Sequence, residues 1–297
     1  MAADNLRGIL LMVVSMALFG LEDMFLKWAA ADLPIGEVIF ISGIFGMPVF
    51  ALMARRHGQR VFVRAALHPA VVARNLGEMI GTFAYITALA TLPLSTVSAV
   101  LQAMPLAVTM AAALFMQEQV GWRRWTAIAV GFAGVMLVIR PGLEGFRPEA
   151  LWVLITVAGL TLRDLSTRMI PRDCSTAQVS AWGLGAVALL GVLMMAATGD
   201  VVAPTIWQSG TLLGALVFGT AGYWAITGAT RTGEVAVVAP FRYVRLVFAV
   251  LIGAFVFAEW PDVITLSGSA LIVASGLYSF ARERARKRAL SLNAPLG

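Results

Sequence analysis

Long apolar runs, broken at short intervals by clusters of Pro, Gly and charge, set the pattern of the whole chain. A run of roughly 20 apolar residues crosses the ~30 Å hydrocarbon layer of a bilayer. Ten such runs can be read, over 6–28, 34–54, 69–92, 94–116, 122–140, 149–170, 175–198, 206–230, 235–258 and 261–281. They predict ten transmembrane helices joined by connections too short to hide a soluble domain. The third and fourth spans, and the eighth and ninth, turn back within a few residues. The first span begins almost at Met1 and carries Glu22, Asp23 and Lys27, with no small-residue cleavage site behind it. It reads as a retained helix and not as a signal peptide.

The pattern also repeats at an offset of 141 residues. Asp23 and Lys27 return as Asp164 and Arg168, and Glu118 returns as Glu259. The same offset matches Gly81 with Gly222, Ala84 with Ala225, Ala88 with Ala229, Thr91 with Thr232 and Val97 with Val238. Single matches are cheap in an Ala/Val-rich chain, but a charged pair plus a distant acid at one spacing is hard to reach by chance. Each half holds five spans, an odd number, so the second half must enter the membrane the opposite way up. The expected fold is therefore an all-α bundle of ten transmembrane helices, in two inverted five-helix repeats (1–141 and 142–297) around a central cavity. Alternating-access transporters are built this way.

Composition agrees: 60% hydrophobic and 13% charged residues lie outside the range of soluble domains. Charge then orients the chain. With the N-terminus in the cytoplasm, the inside segments hold Arg7; Arg55, Arg56, Arg60 and Arg64; Arg123 and Arg124; Arg168 and Arg172; Arg231; and Arg282, Arg284, Arg286, Lys287 and Arg288. The outside loops hold Arg140 and Arg147, so the asymmetry is fifteen to two and both termini are expected inside. Gly58 then falls inside and Gly145 outside. The basic tail reads as an orienting, lipid-touching segment and not as a nucleic-acid site. The lone Cys174 permits no intramolecular disulfide. Phosphate-binding loops, His-Glu-x-x-His and Gly-x-Ser-x-Gly are all missing, and His57 and His68 share one loop. An ATP-driven pump or an enzyme reading thus has no motif to stand on, and neither cofactor nor metal is expected.

Charges inside the spans carry the candidate chemistry, because each costs on the order of 3 kcal/mol unless it is paired or faces water. In the third span Arg74, Glu78, Gly81 and Tyr85 fall on one helical stripe. Glu78 lies roughly 15 Å deep, either neutralising Arg74 or facing a cavity. In the ninth span Arg242, Tyr243 and Arg245 follow Pro240. Arg245 is about as deep as Glu78 and suits either a substrate carboxylate or a bridge to Glu78. The fourth span carries Ser95, Ser98 and Gln102 before Pro105. Pro105 and Pro240 each remove a backbone hydrogen bond, as static kinks or as hinges of a gate. Tyr223 and Trp224 offer stacking surface, whereas Trp122, Trp125, Trp152, Trp207 and Trp260 suit an interfacial belt. The pairs Asp23/Lys27 and Asp164/Arg168 sit near opposite faces, as gate elements or as local i, i+4 pairs worth a few tenths of a kcal/mol. Glu118 and Glu259 close the fourth and ninth spans at the same two faces. Glu78 and Arg245 are expected to form a charged centre, with Tyr85, Gln102, Trp224, Arg242 and Tyr243 around it.

Each half also ends in a recognisable signature. The first has Met104-Pro105-Leu106, a run of small and apolar residues, Glu118 and then Gly131. The second has Val238-Ala239-Pro240, Gly253, Glu259, Pro261, Gly268 and Gly276. Together they resemble the two EamA-type repeats of the drug/metabolite transporter superfamily, over essentially the whole chain. Two departures stand out. Gln117 and Ala258 occupy the place of the usual Gly before the Glu, and the Glu-to-Gly distance is 13 residues in one copy and 9 in the other. The resemblance implies a bacterial inner-membrane carrier of small metabolites, often an amino-acid exporter. The expected function is secondary export of neutral or aromatic amino acids, by a monomer whose partners are its small-molecule substrate and the bilayer. The alternatives are uptake of a vitamin or nucleoside-like metabolite, efflux of toxic organic cations, or, from another class, a membrane enzyme or scaffold.

Overall fold

The computed structural model describes residues 2–61, 63–142, 146–171 and 173–292. Arg172 and Gly145 lie outside them. The helices are α1 (Ala2–Asp32), α2 (Ile35–Arg56), α3 (Pro69–Thr91), α4 (Leu94–Leu101), α5 (Met104–Phe115) and α6 (Trp122–Ile139). They continue as α7 (Leu151–Thr167), α8 (Thr176–Thr198), α9 (Ile206–Thr232), α10 (Val235–Val238), α11 (Val244–Val256) and α12 (Val263–Leu292). α4 and α5 are the two parts of the fourth span. α10, a 3-10 segment over Ala239–Tyr243 and α11 make up the ninth. Among the described residues, nine helices are long and apolar enough to cross a membrane. The remaining span is α3, which carries Arg74, Asn75 and Glu78 in its first half.

Local signals account for most boundaries. Ser175 and Thr205 open α8 and α9 with full capping boxes, each hydroxyl accepting the N–H of a glutamine three residues on. Pro69 starts α3 at a position where its missing N–H costs nothing. The two broken spans break at matching depth. Gln102 N–H is shared between Ser98 O and Ala99 O before Pro105 enters the first turn of α5. The residues 141 positions further on, Tyr243 and Val244, are where the 3-10 segment containing Pro240 gives way to α11. The two spans also end alike. Gln117 and Ala258 take left-handed backbone, φ 55° and 54°. The next amide then reaches back into the helix, Glu118 N–H to Ala112 O and Glu259 N–H to Gly253 O. Left-handed φ is the conformation that favours glycine.

Four helix pairs dominate the packing: α1 with α9, α2 with α8, α3 with α7, and α6 with α12. Numbered by span, these are 1·8, 2·7, 3·6 and 5·10. Exchanging the two repeats turns 1·8 into 6·3 and leaves 2·7 and 5·10 unchanged. The chain is therefore two interlocked inverted repeats. Gly81 of α3 and Gly159 of α7 let two backbones touch, since a Cβ on Gly159 would lie 2.6 Å from Gly81 N.

The core is lopsided. We call the face where α1 begins and α12 ends the termini face, and the other the far face. The largest apolar cluster, including Leu26, Ile39, Leu89, Leu94, Val97, Val135, Ile139 and Val153, fills the far half. Two smaller clusters, around Trp182 and around Met12, serve the termini half. Leu6, Leu10, Val14, Phe115 and Phe255 face outward, as the lipid-exposed surface of a membrane bundle requires.

Candidate functional site

Charged side chains gather in two groups, one towards each face. In the far half Arg245 of α11 donates Nη2 to Asp23 Oδ1 and Oδ2, both at 2.8 Å, and Nε to Oδ2 at 3.2 Å. Its Nη2 also reaches the Tyr85 hydroxyl oxygen at 3.1 Å, while that hydroxyl donates to Asp23 Oδ1. Asp23 is 1% exposed. Further out, Lys27 Nζ lies 2.9 Å from Glu259 Oε1 and also donates to Leu92 O. Glu259 Oε2 accepts the Leu94 N–H at 2.8 Å. This one ion pair thus ties the end of α1 and the loop after α11 to the α3–α4 turn. Nearby, Arg140 pairs with Asp262 in the loop before α12, and that hydrogen bond holds the Asp262 carboxyl below the usual carboxylate range.

In the termini half Glu78 is shared by two guanidinium groups. Arg74 Nη2 is 2.9 Å from Oε2 and Arg163 Nη1 is 3.3 Å from Oε1. Arg163 Nε also donates to Asp164 Oδ1 at 2.9 Å. Arg168 Nη1 meets Glu118 Oε1 at 2.9 Å. Arg242 is exposed and makes no ion pair with a described residue. Its carbonyl accepts Gln102 Nε2 at 3.3 Å, joining the two span breaks. No group of three His, Cys, Asp or Glu among the described residues could hold a metal ion.

Of the two readings of Asp23/Lys27 and Asp164/Arg168, the local i, i+4 pairs do not form. Lys27 passes over Asp23 to reach Glu259, and Arg168 passes over Asp164 to reach Glu118. Each is a bridge from one repeat to the glutamate that closes a broken span of the other, and the two bridges are copies of each other under the 141-residue offset. They differ in burial: the side chains of Lys27 and Glu259 are 12% and 22% exposed, those of Arg168 and Glu118 are 45% and 48%. Asp23 and its copy Asp164 differ likewise, at 2% and 37%. The outer bridge and Asp23 of the far half are thus more buried than their copies, whereas Arg74 and Glu78 in the termini half, 10% and 16% exposed, are no more open than Arg245 at 23%.

The charged centre expected from Glu78 and Arg245 does not assemble either, because each has nearer partners. Asp23 and Tyr85 engage Nε and Nη2 of Arg245, and Arg74 and Arg163 take one oxygen each of Glu78. Tyr243 turns away from both, buried against Gly276, with its hydroxyl unbonded among the described residues and its ring against Phe280. Trp224 is 70% exposed, on the same outward stripe of α9 as Leu213 and Val217, and does not join the charged groups. Tyr223 packs edge-on against Phe50. Arg163 is a further charge inside the sixth span, and nothing local in the sequence marks it as the link between Glu78 and Asp164. Its signal lay in α3–α7 packing, which spacing within one helix does not reveal.

An inverted-repeat bundle with charged groups inside it and ion pairs that bridge the repeats defines a membrane carrier. Residues 6–140 and 147–280 each match the EamA-like transporter family, and the chain belongs to that family. It is similar to the S-adenosylmethionine uptake transporter of Rickettsia bellii, 24% identical over 93% of this chain and 94% of the relative. The pseudopaline exporter CntI of Pseudomonas aeruginosa is 25% identical over 92% and 96%. The riboflavin transporter of Rhizobium johnstonii is 26% identical over 95% and 93%. A solved crystal structure shares the fold, with TM-score 0.59 and 20% identity over 96% of this chain and 98% of that one. The protein is a multi-pass transporter of small metabolites.

Proposed function

We propose that the chain exports a small carboxylate-bearing metabolite, a neutral or aromatic amino acid foremost, and that this structure is its inward-facing state. The observation that carries the reading is Arg242, an exposed guanidinium with no ion pair among the described residues, at the break of the ninth span. Such a group binds both oxygens of a carboxylate. Asp164, 37% exposed, supplies negative charge for an ammonium, and Gln102 adds a neutral hydrogen bond beside Arg242. The positive-inside asymmetry assigns the termini face to the cytoplasm of a bacterial inner membrane, so the half whose outer bridge and Asp164 are more exposed faces the pool to be exported. Arg245, Asp23, Tyr85 and the Lys27–Glu259 bridge then form the outer gate. Arg168 and Glu118, paired at 2.9 Å but nearly half exposed, form the inner gate, and Pro105 and Pro240 mark the hinges. Uptake of a vitamin or nucleoside-like metabolite is the second reading, favoured by the uptake named for the Rickettsia relative and the riboflavin named for the Rhizobium one.

Counterflow in proteoliposomes tests both. A panel of labelled amino acids, S-adenosylmethionine and riboflavin should single out an amino acid. Arg242→Gln should lower its exchange at least about tenfold, the loss of roughly 1.4 kcal/mol or more from a charged hydrogen bond. Exchange by Arg242→Gln at the wild-type rate would remove Arg242 from the site.

A further inference from the structure

Glu22 lies on α1 beside the far-face cluster and makes no hydrogen bond or ion pair with any described residue. It is ten residues from the helix end at Asp32, roughly 15 Å into the bilayer. Its carboxylate rests on the backbone of Gly219 in α9, where an added Cβ would collide with Oε1. The charged and titratable groups facing it are Asp23 from its own helix, Arg245 from α11 and Tyr85 from α3. Arg245 is already committed to both oxygens of Asp23.

The repeat shows what is missing. The copy of Glu22 is Arg163, and the copy of Gly219 is Glu78. In the termini half those two positions hold an ion pair, Arg163 Nη1 to Glu78 Oε1 at 3.3 Å. In the far half the acid sits on the opposite helix, and the partner position is a glycine. A carboxylate in the membrane interior without a cation of its own is costly, and its cheapest remedy is a proton.

We propose that Glu22 is a proton-binding site whose occupancy is linked to closure of the far side. When the far side opens, water reaches Glu22 and the carboxylate is solvated. As α1 closes on α9, hydronium in that water gives up its proton, an O–H bond forms on Glu22, and the water molecule leaves. Opening reverses the step and releases one proton. Acid therefore favours the closed far side, and closure weakens as pH rises. The proposal rests on the chain being a carrier and not on which substrate it moves, so its test uses no substrate.

Ser98 provides the reporter. It is 3% exposed on α4, on the stripe of Gln102, which reaches the ninth span. In a Cys174→Ser, Ser98→Cys background, maleimide labelling reports opening. The ratio of the labelling rate with Glu22 to that with Glu22→Gln, taken at each pH, cancels the thiol's own ionisation. The expected ratio rises with pH, by at most about tenfold per unit for one proton. Gly219→Ala crowds the carboxylate without removing it and should move the midpoint of the rise. A ratio that stays flat overturns the proposal. So does a midpoint unchanged by Gly219→Ala; should Glu22→Gln not fold, the ratio of the labelling rate with Gly219 to that with Gly219→Ala is taken at each pH instead, and a flat ratio there overturns the proposal.

Discussion

Arg245 is held by three oxygens in a nearly dry site, and removing one partner of a buried ion pair costs about 3–5 kcal/mol. Asp23→Asn should therefore open the far half, seen as faster labelling of Ser98→Cys and a lower thermal midpoint. Asp164→Asn removes a carboxylate that is 37% exposed, and should cost no more than about 1 kcal/mol. Equal effects would show that the two halves are not held differently. The Lys27–Glu259 bridge resists a second manipulation. Lys27 also donates to Leu92 O and Glu259 also accepts from Leu94 N–H, so the exchange Lys27→Glu with Glu259→Lys leaves both backbone groups facing the wrong partner. It should not restore the seal, whereas the same exchange of Arg168 and Glu118, both nearly half exposed, should be tolerated. Thermal midpoints of the two exchanged proteins check this. Much of this chemistry was legible as residue types, since charges in apolar runs are conspicuous. Which charge meets which was not legible. Asp23 and Arg245 are 222 positions apart, and helical spacing speaks only of neighbours three and four residues away.

At the scale of elements, span boundaries were readable to within about four residues, because hydrocarbon thickness fixes their length, except that α12 runs on through the basic tail to Leu292, past the expected 281. The breaks were only half readable. Proline located them, but the 3-10 geometry of the ninth span reflects its packing. Gln117 and Ala258 connect the two levels: they depart from the family glycine, and their backbone is left-handed. Replacing either by glycine relieves a strained φ at the cost of chain entropy, for a net gain of roughly 0.5–1 kcal/mol. Gln117→Gly and Ala258→Gly should each raise the thermal midpoint in detergent, and together they should add, because they lie in separate repeats. A lower midpoint would mean that the glycine flexes more than it relieves.

For the molecule as a whole, orientation rests on the fifteen-to-two distribution of basic residues. In a Cys174→Ser background, cysteine at Gly58 should resist impermeant thiol reagents outside intact cells, and cysteine at Gly199 should react. The reverse pattern would turn the carrier over. The inverted repeat was legible from one offset, because a repeat is a property of sequence. The lopsided burial was not, because two conformations of one chain share every residue.

The ion pairs that tie α1 to α11 and the loop after it also bear on synthesis. At about 5–20 residues per second, the 222 residues between Asp23 and Arg245 take roughly 10 to 45 seconds to emerge. Throughout that interval the first helix stands in the bilayer with Glu22, Asp23 and Lys27 while Arg245 and Glu259 are still unmade. A chain halted after the fifth helix should remain bound to the insertion machinery, or be degraded, and should not wait as a stable half.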